Sequence, residues 1–267
     1  MRNRPAVSVS PTDPILAVDE PPPVATLRPE APSPFLLLGD HAGNLIPRGL
    51  DELGLDEVER RRHIAWDIGV AALGAALSER LDATFIAQVY SRLVIDCNRR
   101  PGAPDSIPPV SDGIAIAANA ALDAEGAAAR AEAIHAPYQA AIADEIERRT
   151  RIDQHTFLIS LHSFTPSMRS VGRPWQVGML YNEGDNRFAR AMLEAFRRDP
   201  SLTVGDNQPY SMDTIDYTIP LHAYPALLPY VEIEIRQDLL SDEAGVADWC
   251  NRVEAALLIA QSTYARL

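Results

Sequence analysis

The sequence predicts an α/β fold, a three-layer sandwich with a mostly parallel central sheet. Short apolar segments of strand-like pattern alternate along the chain with longer segments of helical periodicity. This alternation is typical of a parallel sheet that is covered by helices on both faces. Polar side chains stand at or just beyond the ends of the strand-like segments. Ligands of such folds bind at the carboxyl ends of the strands, so the fold class also predicts where the functional site lies.

The individual elements follow from hydrophobic periodicity and residue type. Runs of apolar, β-branched and aromatic residues predict strands at 35–40, 156–163, 175–182 and within 229–240. The segment 83–98 predicts either two short strands or one strand that bends near Ser91. Apolar residues spaced three and four apart predict helices at 56–81, 122–149, 184–198 and 243–267. Pro137 is a candidate kink within the second of these helices.

The first part of the chain differs from the rest in proline content. Residues 1–33 hold eight of the 22 prolines, and each proline removes a backbone donor and restricts φ. We therefore expect residues 1–33 to form a flexible or extended arm. No internal repeat and no second break in composition follows, so residues 34–267 are expected to form a single catalytic α/β domain.

Composition excludes several classes of partner. The formal net charge of −13 argues against nucleic acid, because phosphate neutralisation needs a basic face, and it gives no reason to bind anionic membranes. No apolar run approaches the ~20 residues of a membrane helix, and the amino-terminal segment has no signal-peptide h-region. Cys97 and Cys250 lie far apart and in no metal-binding spacing. These features predict a cytoplasmic protein.

Two histidines lie at the carboxyl ends of predicted strands. His41 follows the strand 35–40, with Asn44 three residues later, and His162 ends the strand 156–163. A metal such as zinc is held by nitrogen, oxygen or sulfur atoms of three protein residues, with a fourth position for water. The alternative is a structural histidine in a turn and a core histidine that hydrogen-bonds to Ser160 and Ser163. The residues alone leave both interpretations open.

The segment VEIEIRQDLL places charged residues on one face of a strand. Alternation puts Glu232, Glu234 and Arg236 on the same side. Buried carboxylates are costly unless they are paired or lie near a metal, where a carboxylate makes a good general base. The alternative is a solvated edge strand with a Glu–Arg pair.

Arginines cluster in SRLVIDCNRRPG, within an otherwise acidic chain. The planar guanidinium suits bidentate recognition of a carboxylate. An internal Arg92–Asp96 ion pair is the favoured interpretation of Asp96. Asn98 and Arg99 are better suited to binding a small anionic substrate.

Taken together, these motifs resemble the N-formylglutamate amidohydrolase family. The resemblance rests on the order and spacing of six segments, and residues 1–33 lie outside it. The segments are DHAGNLIP (40–47), HIAWDIG (63–69), SRLVIDCNR (91–99), SLHSF (160–164), DYTIPLHA (216–223) and VEIEIRQDLL (231–240).

The resemblance implies a zinc-carboxypeptidase-like sheet with a metal site, and hydrolysis of N-formyl-L-glutamate to formate and L-glutamate. By analogy, His41, Asn44 and His162 hold the metal, with Zn²⁺ as the expected cofactor. Asn98 and Arg99, with Arg236 on the strand beyond, bind the substrate. Asn44 departs from the carboxypeptidase pattern, because it stands where a glutamate ligand is expected.

The same analogy assigns the remaining roles. Glu234 is the general base, and Arg92 or His222 stabilises the oxyanion, with His222 as an alternative acid catalyst. Asp67 orients His41 from behind the metal. Two other functions stay open: a related amidase or peptidase for larger substrates such as peptidoglycan fragments, and a non-catalytic binding protein with a degenerate metal site.

Overall fold

The structure, a computed structural model, describes residues 14–212 and 216–266. Its strands are β1 (Val24–Leu27), β2 (Phe35–Gly39), β3 (Thr84–Gln88), β4 (Val110–Ser111), β5 (Ile114–Ala115), β6 (Phe157–Phe164), β7 (Ser167–Met168), β8 (Val171–Gly172), β9 (Val177–Leu180), β10 (Val204–Asp206) and β11 (Tyr230–Arg236). Its α-helices are α1 (Glu57–Arg60), α2 (Val70–Leu81), α3 (Ala117–Ala120), α4 (Ala124–Arg130), α5 (Ala136–Arg151), α6 (Arg187–Phe196), α7 (Thr218–His222) and α8 (Glu243–Tyr264). Two 3₁₀ segments, Arg48–Gly54 and Gln237–Leu240, and one π turn, Ala131–His135, complete the elements.

Seven strands form the central sheet, in the order β1-β3-β2-β6-β11-β9-β10. β2 pairs in parallel with β3 and with β6, β6 with β11, and β9 with β10. Only β1 with β3 and β9 with β11 run antiparallel within the described sheet. The predicted α/β class with a mostly parallel sheet is therefore confirmed.

The middle strands are almost fully buried because both of their faces are covered. All eight residues of β6 and all five residues of β2 are buried, as strands of a parallel sheet with helices on both sides must be. Helix α8 packs against α2 and α6 on one face, and α5 contacts β1, β3 and α7 on the other. No helix in the described part of the chain has the length and hydrophobicity that crossing a membrane requires.

The predicted helix 56–81 is wrong in its middle. The structure has only the short α1 and then α2, and the intervening residues 61–69 form turns. Here the Asp67 backbone N–H donates to the His41 carbonyl at 2.9 Å, a partner outside the segment. Gly69 has φ of 86° and begins α2 from a left-handed conformation. Helical periodicity was present, but tertiary hydrogen bonds outweighed it.

Only the first half of the predicted strand region 83–98 forms a strand, namely β3. Residues 91–99 fold as a loop whose polar groups are bound by side chains: the Ser91 hydroxyl donates to the Ala65 carbonyl at 2.7 Å, and Asp96 accepts from the Asn98 N–H at 2.9 Å. The predicted helix 122–149 consists of α4 and α5 joined by the π turn, and Pro137 lies in the first turn of α5. The structure accommodates this proline at a helix start.

The amino-terminal segment contributes to the sheet. Residues 1–13 of the predicted arm lie outside the described residues, as does Leu267 of the predicted last helix. Within 14–33, β1 pairs antiparallel with β3 as an edge strand. The Pro21 and Pro23 carbonyls accept from the Tyr90 hydroxyl and the Val89 N–H. Neither β1 nor β10 was expected from the sequence, since both are short and β1 lies within the proline-rich segment.

Gly69→Ala tests how the break before α2 is held. We expect a loss of about 2–4 kcal/mol in the free energy of unfolding, from a strained left-handed φ and from crowding. An added Cβ would lie 2.3 Å from the Leu240 Cβ and 2.7 Å from its carbonyl oxygen. Gly102→Ala is the matched control, because Gly102 has φ of 82° and open space around it; it should cost only about 1 kcal/mol. Equal losses in urea unfolding would show that the Leu240 contact is unimportant.

Candidate active site

The polar residues predicted at strand ends meet in one cleft of about 340 Å³. His41 follows β2, His162 lies in β6, and Glu232 and Glu234 lie in β11. β6 and β11 are parallel neighbours, and their register sets Glu234 beside His162. Residues paired in this way project to the same face of a sheet, so the two carboxylates and the histidine line one wall of the cleft.

His41, Asp67 and His162 form a buried cluster at the bottom of the cleft. The Asp67 Oδ2 atom lies 3.5 Å from His41 Nδ1 and 3.0 Å from His162 Nδ1. The three side chains offer one ligand atom each, and these atoms lie within 4.8 Å of one another. The residues are only 2%, 4% and 3% exposed. This cluster could hold a metal ion.

The far side of each imidazole is held by a carboxylate. His41 Nε2 donates to Asp96 Oδ1 at 2.7 Å. His162 Nε2 lies 3.0 Å from the Ser160 hydroxyl and 3.3 Å from Asp40 Oδ2. Metal-binding histidines are commonly oriented by such a partner on the other ring nitrogen. Both Nδ1 atoms consequently face Asp67, and His41 Nδ1 is buried without a hydrogen-bond partner among residues 14–212 and 216–266.

Electrostatics favour an ionised Asp67. Burial by itself would raise the pKa of its carboxyl, but the charge of His41 and a hydrogen bond from His162 outweigh burial and hold this pKa below its ordinary value. The Ser163 backbone N–H also donates to Asp67 Oδ2, at 3.1 Å. A permanently ionised carboxylate is the form that ligates a cation.

Glu234 and Glu232 are buried beside this cluster, and each has one carboxyl oxygen without a hydrogen-bond partner among the described residues. Burial raises the pKa of Glu234 to about 7. Burial, followed by the charge of Asp216, raises the pKa of Glu232 well above its usual range. A group with a pKa near the operating pH suits proton transfer, so Glu234 can act as a general base or acid at neutral pH.

Arg92 takes part in the predicted ion pair and also lines the cleft. Its Nε and one terminal nitrogen donate to Asp96 Oδ2 at 3.1 and 2.7 Å, and the other terminal nitrogen lies 3.4 Å from Asp67 Oδ1. The side chain is 25% exposed. Arg92 therefore presents a positive charge to the cleft next to the two histidines.

Asn98 and Arg99 also line the cleft, but their side chains are largely engaged. The Asn98 amide oxygen accepts from the backbone N–H groups of Tyr217 and Thr218, both at 2.9 Å, at the start of α7. Arg99 lies 2.9 Å from Asp105 and 3.6 Å from Asp216. Asn98 thus holds α7 in place, and the Arg99 guanidinium lines the cleft between two carboxylates.

Three residues assigned from the sequence do not line the cleft, as judged from the residues that the structure describes. The Asn44 amide donates to the Arg60 carbonyl at 2.7 Å, and Asp67 occupies the place beside the two histidines. His222 donates to Gln139 at 2.7 Å beneath α7. The Arg236 guanidinium turns to Asp238, two residues further on, at 2.8 Å. In each case a nearby acceptor draws the side chain away from the cleft.

The sequence predicted that Asp67 orients His41 from behind the metal, whereas the structure sets Asp67 beside both histidines, where it could itself be a ligand. The signal for such a position is a carboxylate on an apolar helical face, two residues before a glycine. A buried carboxylate needs partners, and Gly69 gives the backbone the conformation that breaks the helix.

The fold and the buried site are those of a hydrolase with a possible metal centre, and comparison with known proteins gives the family. Residues 33–241 match the sequence model of N-formylglutamate amidohydrolase. The chain therefore belongs to the N-formylglutamate amidohydrolase family, as the motifs predicted. No match was found among the curated proteins.

Two solved structures are similar over nearly their whole length. A gene product of Agrobacterium tumefaciens is 34% identical, with a TM-score of 0.91, over 94% of this chain and 99% of that chain. The N-formylglutamate amidohydrolase from Ralstonia eutropha JMP134 is 20% identical, with a TM-score of 0.65, over 92% of this chain and 99% of that chain. The second similarity shows a shared fold.

Zinc titration distinguishes Asp67 from Asn44 as a ligand. Zinc at a hundredfold excess over its dissociation constant should raise the free energy of unfolding by about 2.7 kcal/mol. We expect zinc to stabilise the Asn44→Ala variant by the same amount and to leave the Asp67→Asn variant unchanged. Circular dichroism of each variant should first show that its fold is native. The opposite result would restore Asn44 as the ligand.

His222 makes the stability dependent on pH. Burial lowers its pKa to about 4, so between about pH 6.5 and 4 the unfolded chain binds a proton that the folded chain does not. The contribution of the neutral His222 to the free energy of unfolding is complete above about pH 6.5 and is lost as the pH falls towards 4. Urea unfolding of His222→Gln should show a smaller loss between pH 7 and 5 than the unsubstituted protein. Identical losses would mean that His222 does not titrate in this way.

Proposed function

We propose that this protein is a metal-dependent amidohydrolase that converts N-formyl-L-glutamate and water to formate and L-glutamate. One observation carries the proposal: the His41–Asp67–His162 cluster and the free carboxyl oxygen of Glu234 face the same cleft. A metal centre beside a general base is suited to the hydrolysis of an unactivated amide. Membership of the family supports the choice of substrate.

The donor set fits Zn²⁺. Two histidine nitrogens and one carboxylate oxygen are the three protein ligands of many catalytic zinc sites, which leave a fourth position for water or substrate. The buried His41 Nδ1 without a hydrogen-bond partner is best explained by such an ion. When bound, zinc would supply Lewis-acid polarisation of the formyl carbonyl and would lower the pKa of water.

Glu234 handles the proton. Its carboxylate accepts a proton from the attacking water, and the resulting acid donates that proton to the leaving amine. A pKa of about 7 makes both steps accessible at neutral pH, because neither form is strongly favoured. Burial in the cleft wall, which raises this pKa, also fixes the direction in which the carboxyl group points.

Arg92 and Arg99 bind the two ends of the substrate amino acid. The Arg92 guanidinium is held rigidly by Asp96 next to His41 and stabilises the negative charge that develops on the formyl oxygen. Arg99, 16% exposed, binds the α-carboxylate of the substrate, and Asp105 and Asp216 orient its guanidinium. Asn98 supports this arrangement through α7.

Glu234→Gln tests the proton-transfer role. We expect kcat for formate release to fall by roughly 10²–10⁴-fold, with zinc content unchanged. The acidic limb of the kcat/KM profile should have an apparent pKa of about 7 or below, since a bound cation lowers it, and this limb should vanish in the variant.

Glu232→Gln is the matched control on the same strand and face. Burial raises the pKa of Glu232 well above its usual range and so disfavours its charged form, which makes the neutral glutamine side chain a conservative replacement, and most activity should remain. Retained activity in Glu234→Gln with zinc still bound would contradict the proposed role.

A further inference from the structure

A second groove adjoins the catalytic cleft. Its volume is about 560 Å³, and it shares His63, Asp112, Thr165 and Arg169 with the cleft. The lining of the groove is polar, with three arginines and a single carboxylate among the described residues. The cleft, by contrast, is lined by seven carboxylates and three arginines among the described residues. The border between the two cavities is thus the point where the lining changes from acidic to basic.

Arg169 differs from the other arginines near this border. Arg61 pairs with Glu57 at 2.5 Å, and Arg62 pairs with Glu59 and Asp112 at 2.7 and 2.9 Å. Arg169 lies in the turn between β7 and β8, is exposed, and has no carboxylate partner within 14–212 and 216–266.

The arginines deeper in the cleft are also occupied. Arg92 is paired with Asp96 and Asp67, and Arg99 with Asp105 and Asp216. Of the arginines that line the cleft in the described chain, Arg169 alone keeps an uncompensated charge. An anionic group that enters from the border therefore meets Arg169 without displacing a carboxylate of the protein.

His63 provides a second donor at the same border. Its Nε2 atom is buried without a hydrogen-bond partner in the described residues and lies 3.5 Å from Asp112 Oδ2. Burial, together with the charges of Arg62, Arg92 and Arg173, outweighs Asp112 and lowers the pKa of His63, which keeps the imidazole neutral at pH 7. A neutral imidazole still offers one N–H to a carboxylate.

We propose that His63 and Arg169 form an anion subsite that binds the side-chain carboxylate of the substrate and selects N-acyl derivatives of acidic amino acids. The inference rests on the proposed function, in which Arg99 binds the α-carboxylate. A dicarboxylic amino acid needs a second cation, and in a chain of net charge −13 that cation must be provided locally. Neutral amino acids gain nothing from Arg169, and selectivity follows from this difference.

The test compares N-formyl-L-glutamate with its neutral isostere N-formyl-L-glutamine, with formate release as the readout. The unsubstituted protein should prefer glutamate. Arg169→Ala should raise KM for the glutamate substrate by about tenfold or more, because a charge-assisted hydrogen bond is lost. KM for the glutamine substrate should change by less than about twofold. His63→Ala should likewise raise KM for the glutamate substrate more than KM for the glutamine substrate. Arg61→Ala is the control, because Arg61 lines only the groove.

Two results would overturn the subsite: a preference for glutamine in the unsubstituted protein, or equal losses for both substrates in Arg169→Ala. If neither substrate is cleaved, the proposed function fails, and calorimetry with L-glutamate and L-glutamine still decides the subsite. In that case the subsite predicts that the unsubstituted protein binds L-glutamate more tightly than L-glutamine, and that Arg169→Ala weakens the binding of L-glutamate. Equal binding of the two amino acids to the unsubstituted protein would exclude it.

Discussion

The buried carboxylate of Asp67 is the constraint on which the site depends. A lone carboxylate in the interior would cost several kcal/mol, and here the cost is offset by His162, by the Ser163 N–H and by Arg92. These partners come from β6 and from the loop 91–99, while Asp67 itself lies in the turns before α2. One carboxylate thus ties together three parts of the chain that are distant in sequence, and any ion bound there would strengthen the same connection.

The loop 91–99 shows how irregular backbone is kept rigid beside the site. Buried carbonyl groups need donors, and a strand partner is absent among the described residues here. Side chains of α3, α4, the π turn and α5 supply the donors instead. The carbonyls of Leu93, Val94, Cys97 and Arg99 lie within 2.8–3.0 Å of nitrogens of Asn119, Arg130, Gln139 and His135. Because each carbonyl has its own partner, Arg92, Asp96 and Asn98 are held in fixed directions without a sheet.

The charges of the cleft divide into those that balance one another and those that remain for chemistry. Asp96 is paired with Arg92 and His41, and Asp105 with Arg99, so these charges mainly orient their partners. Glu234 has no salt-bridge partner within 14–212 and 216–266, and burial raises its pKa. Arg169 likewise has no carboxylate partner among the described residues, whereas Arg92 and Arg99 are each paired with two aspartates. In the proposed reaction, the paired arginines meet the substrate in a fixed orientation, and Glu234 transfers the proton.

Much of this protein follows from the sequence by itself. A continuous apolar run predicted β2, and strand-like segments rich in apolar residues predicted β6 and β11, because strands of a parallel sheet are covered on both faces. Period-two alternation put Glu232 and Glu234 on one face, and strand ends placed His41 and His162 at the same edge. The third member of the cluster was decided by tertiary structure. Asp67 was assigned to a helix because local periodicity contains no information about the His41 carbonyl that binds its N–H. Asn44, His222 and Arg236 stood in suitable positions along the chain, but the direction of each side chain was set by an acceptor nearby in space, which only the folded chain defines.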